Sequence, residues 1–157
     1  MTESVRSSRR LDPPPTELRW SITAWLAAVG FGVAEAVVRL VLPDPPTADE
    51  LVARSVIYAL VVVLVLALAS GRPAVRIAVA VLIGGVGTLS LIMEPVGWLV
   101  VGGSPMAFLG AADGPTLVVV GLRAAHVVAV LVGLVTMFHP NVNSYMRRRR
   151  SDRPGIG

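Results

Sequence analysis

The sequence predicts an all-α polytopic membrane protein: a four-transmembrane-helix bundle with both termini cytoplasmic. Three observations carry that prediction. Of the 157 residues, 54% are hydrophobic and 15% charged, against about 25% charge in a soluble domain. Several apolar runs reach the ~18 residues at which a segment reads as a membrane-crossing helix. The arginines, finally, are distributed unequally between the two sides of those runs.

The first 17 residues are polar and irregular, with Arg6, Arg9, Arg10 and the run Pro13-Pro14-Pro15. They predict a disordered basic segment that ends in a stiff, extended triproline. The transmembrane domain then covers 18–140. Its first span runs over about 18–42, with Trp20 at the interface as an aromatic anchor. Basic residues before an apolar run and the A-x-A form of Ala34-Glu35-Ala36 also fit a signal peptide. The apolar stretch continues past that point to Leu42, so the spanning helix is preferred.

Pro43, Pro45 and Pro46 end the first span, and Thr47-Ala48-Asp49-Glu50 reads as a capping box that opens the next. The second span, about 52–70, is apolar on every side and predicts extensive lipid contact. Ser70-Gly71-Arg72-Pro73 is a tight turn with Gly as the stop and Pro as the new start. The third span begins near Ala74. Proline removes a backbone hydrogen bond and kinks a helix, so this span either stops near Glu94 or continues past Pro95 to about Val101. The kinked, continuous form is favoured. Asp113-Gly114-Pro115 launches the fourth span, about 117–138, and 141–157 is a basic tail.

Orientation follows from the arginines. All 14 basic residues are arginine. Arg6, Arg9, Arg10, Arg19, Arg72, Arg76, Arg147 to Arg150 and Arg153 fall on one side, 11 of the 14. The positive-inside rule makes that side cytoplasmic and the location a multi-pass cytoplasmic membrane. Arginine used to the exclusion of lysine, with heavy Ala, Val and Gly, points to a high-GC bacterial genome. No cysteine is present, which excludes disulfides, thiol catalysis and cysteine-ligated metals.

An arginine well inside the hydrocarbon costs roughly 2.5–3.5 kcal/mol on insertion scales. It must snorkel, find a partner or serve a function. Glu35, Arg39, Glu94, Arg123 and His126 all fall in the outer third of their spans, with Glu35 roughly 10 Å and Arg123 roughly 9 Å below the outer edge at ~1.5 Å per residue. Small residues repeat every fourth position beside them, Ala24, Ala28, Gly32 and Ala36 in span one and Gly121, Ala125, Ala129 and Gly133 in span four. Such ridges permit close helix contact in lipid and would turn the charges inward. The expectation is an ion pair between Glu35 and Arg123, with Glu94 and His126 as neighbours. Its preferred role is structural; a proton- or cation-coupled site and a partner-binding site stay open.

Arg147, Arg148, Arg149 and Arg150 read as a contact to anionic lipid, each worth about 1 kcal/mol near the surface. Nucleic-acid binding would need aromatic interleaving, and Tyr145 stands alone there. No nucleophile, phosphate loop or metal-ligand spacing is evident, so an enzyme, a cofactor and a metal are not expected. The expected partners are the bilayer and another membrane protein or a second copy of the chain.

The basic N-terminus, the Gly-rich third span ending in Ser90-Leu91-Ile92-Met93-Glu94-Pro95, and a last helix with a histidine resemble the small four-helix membrane proteins of unknown function common in actinobacteria. That resemblance implies no activity. Val33-Ala34-Glu35-Ala36 and Gly84-Gly85-Val86-Gly87 are similar to motifs of the small multidrug resistance transporters, which would make Glu35 a proton- and drug-binding carboxylate. Ile83 stands where that family has a tryptophan, a long loop precedes span four, and Arg123 would oppose a cationic drug.

Overall fold

The computed structural model describes residues 13–43 and 45–151, apart from the side chains of Val86, Ser90, Leu91, Glu94, Arg149, Arg150 and Ser151. The expected disorder of the N-terminus lies outside the described residues, as do the side chains of Glu94, Arg149 and Arg150. All regular structure among the described residues is helical. Three helices are long and apolar enough to cross a membrane.

Helix α1 spans Thr16–Arg39, with Pro15 extended at its N-cap and Glu17 in its first turn, where a carboxylate opposes the helix dipole favourably. It stops short of the expected Leu42. The backbone tightens instead, Val41 donating to the Val38 carbonyl and Leu42 to that of Arg39. Pro43 disfavours α geometry in the residue before it, and the helix unwinds ahead of it. Helix α2, Ala48–Ala67, opens on the reciprocal capping box of Thr47 and Glu50. It buries Val65 and presents Val52, Val56, Leu60, Val63 and Leu66 outward, as its unbroken Leu/Val surface predicts.

After a 3₁₀ turn and Gly71 at φ 69°, the chain stays helical from Pro73 to Val100. Helix α3 (Pro73–Val79) widens into a π-helical stretch, Ala80–Gly87, which passes into α4 (Thr88–Val100). Pro95 sits inside α4 without ending it. The departure from α geometry therefore lies earlier than the proline suggested. There Thr88 Oγ1 donates to the carbonyl of Ile83, five residues back. Gly84 has no side chain where Leu134 presses in, and a Cβ there would meet Leu134 Cδ2 at 3.0 Å.

Helix α4 ends in a glycine turn in which Gly103 donates to the Trp98 carbonyl and Gly102 to that of Leu99. This is the Schellman pattern, with Gly102 at φ 91° as its left-handed residue. A short helix α5, Pro105–Ala111, follows under a Ser104 cap. Helix α6, Gly114–Met137, starts on the Asp113 side chain, which accepts from Thr116 N at 3.0 Å.

The described part of the basic tail, 141–151, is helical. Pro140 ends the last span and also opens α7, Pro140–Ser151. Val142, Tyr145 and Met146, one stripe at helical spacing, pack with Leu18 at the start of α1. The sequence understated this element because its apolar stripe is only three residues wide.

The core occupies one half of the bundle. Trp25, Ala28, Val65, Leu68, Val79, Ile83, Ala129, Val130 and Met137 cluster there, at the end where α1 begins and α6 finishes. Helices α1 and α6 run antiparallel as the principal pair. At Gly133 the missing side chain admits the Trp25 indole, since a Cβ would lie 2.9 Å from Trp25 Cε2. One turn away, Ser21 Oγ donates to the Gly133 carbonyl at 2.9 Å.

Candidate functional site

The opposite half of the α1–α6 pair holds the charged residues. Antiparallel packing that sets Ser21 beside Gly133 carries Glu35 to the level of Arg123 fourteen residues along α1. Glu35 Oε1 accepts from Arg123 Nε and from Arg39 Nε, each at 3.0 Å. Arg39 is one helical turn from Glu35 on the same face; Arg123 comes from the other helix. The carboxylate is desolvated, its side chain 5% exposed, whereas Arg39 and Arg123 keep 28% and 23%. Both guanidinium stems thus reach inward from positions that still touch the surroundings, as long arginine side chains do.

His126 lies one turn along α6 from Arg123, half-buried against α1. Its ring is within electrostatic reach of the Ala28 carbonyl and of Glu35. Tyr58 from α2 closes the same region. Its ring packs on Gly32, where a Cβ would fall 2.9 Å from the tyrosine hydroxyl. Of the expected cluster, the structure joins Glu35, Arg39 and Arg123 directly and sets His126 beside them. The small-residue stripe of α1 does face its neighbours, with Ala28, Gly32 and Ala36 buried. In α6 the stripe packs at Ala129 and Gly133, while Gly121 faces open space.

A second polar site, which the sequence does not predict, lies at the other end. Arg76 of α3 donates to Asn143 Oδ1 of α7 and lies over the Phe138 ring, 4.1 Å from its centroid. Nearby, Asn141 Nδ2 donates to Glu17 Oε1 at 2.6 Å, and His139 Nδ1 stands 3.7 Å from the same oxygen. In the sequence Arg76 is only a topology signal. Its partners are polar residues of a segment read as tail, so no periodicity announced them. Arg147 and Arg148 are exposed on the far side of α7.

Among the described residues no group of three or more His, Cys, Asp or Glu is placed to hold a metal ion. A cavity of about 660 Å³ opens between α4, α5 and the first half of α6, and Arg123 lines it. Comparison with family models, with curated proteins and with solved structures returns no match.

Proposed function

We propose that the protein is a non-enzymatic, four-span protein of the cytoplasmic membrane with a structural or partner-binding role, in which Glu35 fastens α1 to α6. Three spans are α1, α2 and α6. The fourth is the continuous helix from Pro73 to Val100, 28 residues or roughly 42 Å at 1.5 Å per residue, long enough to cross with tilt. Both termini are cytoplasmic, an orientation supported by the arginine count. That orientation puts Arg147 to Arg150 on the side of the anionic leaflet.

The observation that carries the structural role is the sharing of one buried carboxylate by two guanidiniums. Charge buried in hydrocarbon is costly unless paired, and here one buried acid bonds an arginine of its own helix and another on α6. The other reading, a small proton-coupled transporter acting as an oligomer, takes its support from the likeness of Val33-Ala34-Glu35-Ala36 to the small multidrug resistance motif. The double arginine contact favours the fastening role over a site that must open and exchange its occupant. Glu35→Gln separates the two. A fastener loses membrane abundance and regains it in the Glu35→Gln, Arg123→Gln double variant; a transporter keeps its abundance and loses coupled flux.

Topology is tested by single cysteines at Ser7, Ala48 and Ser104 in this cysteine-free chain. Membrane-impermeant thiol reagent applied to intact cells should label positions 48 and 104 and spare 7. Labelling of 48 only after the cytoplasm is opened would reverse the orientation.

A further inference from the structure

The connection between the third and fourth spans carries no charge. Segment 95–112 has 18 residues, and Ser104 and the Trp98 indole supply its only side-chain O–H and N–H groups. Connections that stand in water are polar; this one is not. Val100, Val101 and Met106 are 80%, 83% and 80% exposed, the most exposed large hydrophobic residues among those described.

The apolar surface runs round the whole α4–α5 hairpin. Trp98 and Leu99 of α4 and Phe108 and Leu109 of α5 face the cleft against α6. Val96 and Val100, on the other side of α4 by helical spacing, are exposed as well. A helix apolar on all sides is surrounded by protein core or by lipid. A second protein chain would cover one side and leave the others wet, whereas acyl chains cover every side.

Helix length puts the hairpin at the right depth. Arg72 and Arg76 mark the cytoplasmic edge of the third span. From Ile77 to Val100 the chain rises roughly 35 Å at ~1.5 Å per residue. The hydrocarbon is ~30 Å thick, and head groups add ~5–8 Å on each side. Val100 therefore lies at the boundary of the outer head groups, and tilt draws it lower. Trp98 falls in the layer where aromatic side chains anchor membrane proteins.

A turn tolerates that layer only if its backbone is largely satisfied. The N–H groups of Val101, Gly102, Gly103 and Phe108 donate to carbonyls of the hairpin itself, and that of Ala107 to Ser104 Oγ. Pro105 has no N–H to satisfy. The Trp98 indole lies on Gly103, where a Cβ would collide with the ring. It meets Phe108 edge-on, centroids 5.8 Å apart, and so holds α5 to the end of α4.

We propose that the α4–α5 hairpin is a lipid-binding element of the outer leaflet. Its turn lies at head-group level, and Val100, Val101 and Met106 contact phospholipid acyl chains, as the apolar faces of interfacial helices do. Ser104, at the wet edge of the turn, stays within reach of a water-soluble thiol reagent. The inference rests on the membrane reading above and goes beyond it by placing this connection in the bilayer instead of in water.

The test is the collisional accessibility of nitroxides on single cysteines, in the full chain reconstituted in phosphatidylcholine nanodiscs. Oxygen concentrates among acyl chains, and a nickel chelate stays in water. Cysteines at Val100 and Met106 are compared with Val63, on the exposed face of α2, and with Ala48, its first residue. The oxygen-to-nickel collision ratio at 100 and 106 is expected to be at least threefold above that at 48. If the variant at 100 does not accumulate, a cysteine at Val101 replaces it. A ratio equal to that at 48 would put the hairpin in water and overturn the proposal. Few collisions with either reagent would overturn it as well, because a protein contact would then cover the site. Position 63 behaving like 48 would bring down the membrane reading itself, which keeps the two failures distinguishable.

Discussion

Arg123 Nε and Glu35 Oε1 meet at 3.0 Å across 88 positions of chain, and the same oxygen takes Arg39 Nε at 3.0 Å. The two arginines are not equivalent. Arg39 contacts an acid on its own helix and adds no link between elements; Arg123 joins α1 to α6. Arg39→Gln should therefore cost little, near the ~0.3–0.5 kcal/mol of a pair within one helix. Arg123→Gln should cost more, from the ~0.6 kcal/mol average of interhelical membrane contacts upward. Reversible unfolding in mixed micelles gives both values, and an equal loss would contradict the assignment.

Close approach at the core end makes a second prediction. At Gly133 a methyl would strike the fully buried Trp25 ring, and overpacking of this kind costs about 1–3 kcal/mol. Gly121, with open space around it, should accept alanine without loss. Thermal denaturation in detergent of Gly133→Ala beside Gly121→Ala measures the contrast directly.

The contrast also shows how far the sequence could be read. The four-residue stripe in α6 looks uniform from Gly121 to Gly133, because spacing reports a face and not the distance to the next helix. Helix α1 crosses closely at one end of that stripe and the cleft opens beside the other. Length and apolar composition marked α1, α2 and α6, and Thr47 to Glu50 gave the α2 cap outright. The π-helical stretch at Ala80–Gly87 was not legible, since Pro95 offered a stronger local signal for a break than three glycines did. Helix α7 was hidden by its arginines, whose polarity masks a stripe of Val142, Tyr145 and Met146. For the site, depth alone brought Glu35 and Arg123 to one level. The Tyr58–Gly32 contact needed the rotation of α2, which a helix apolar on all sides does not encode.

Arg76 should hold α7 in place. Its stacking on Phe138 and its bond to Asn143 use the flat guanidinium, which lysine does not reproduce. Arg76→Lys is expected to speed amide exchange in α7 at least severalfold while leaving α6 protected. Unchanged exchange in 140–151 would show that the apolar stripe holds the helix by itself.

Acid should weaken the start of α6. Hydrogen bonds from Thr116 hold the Asp113 carboxyl below the usual carboxylate range. A group whose folded pKa is depressed contributes stability that is present above its unfolded pKa of about 3.9 and fades as pH falls through the folded value. Exchange of the first-turn amides of α6 should accordingly rise below about pH 4. Asp113→Asn keeps a cap acceptor and should lose that dependence; an unaltered pH profile would mean that another group governs it.

The central claim is that Glu35 and Arg123 act as one unit binding α1 to α6. The measurement that bears on it most directly is a double-mutant cycle of Glu35→Gln and Arg123→Gln, read by unfolding in bicelles. The account predicts a double variant more stable than the two single losses summed, by at least ~1 kcal/mol. Losses that add to within about 0.5 kcal/mol, as independent sites do, would contradict it.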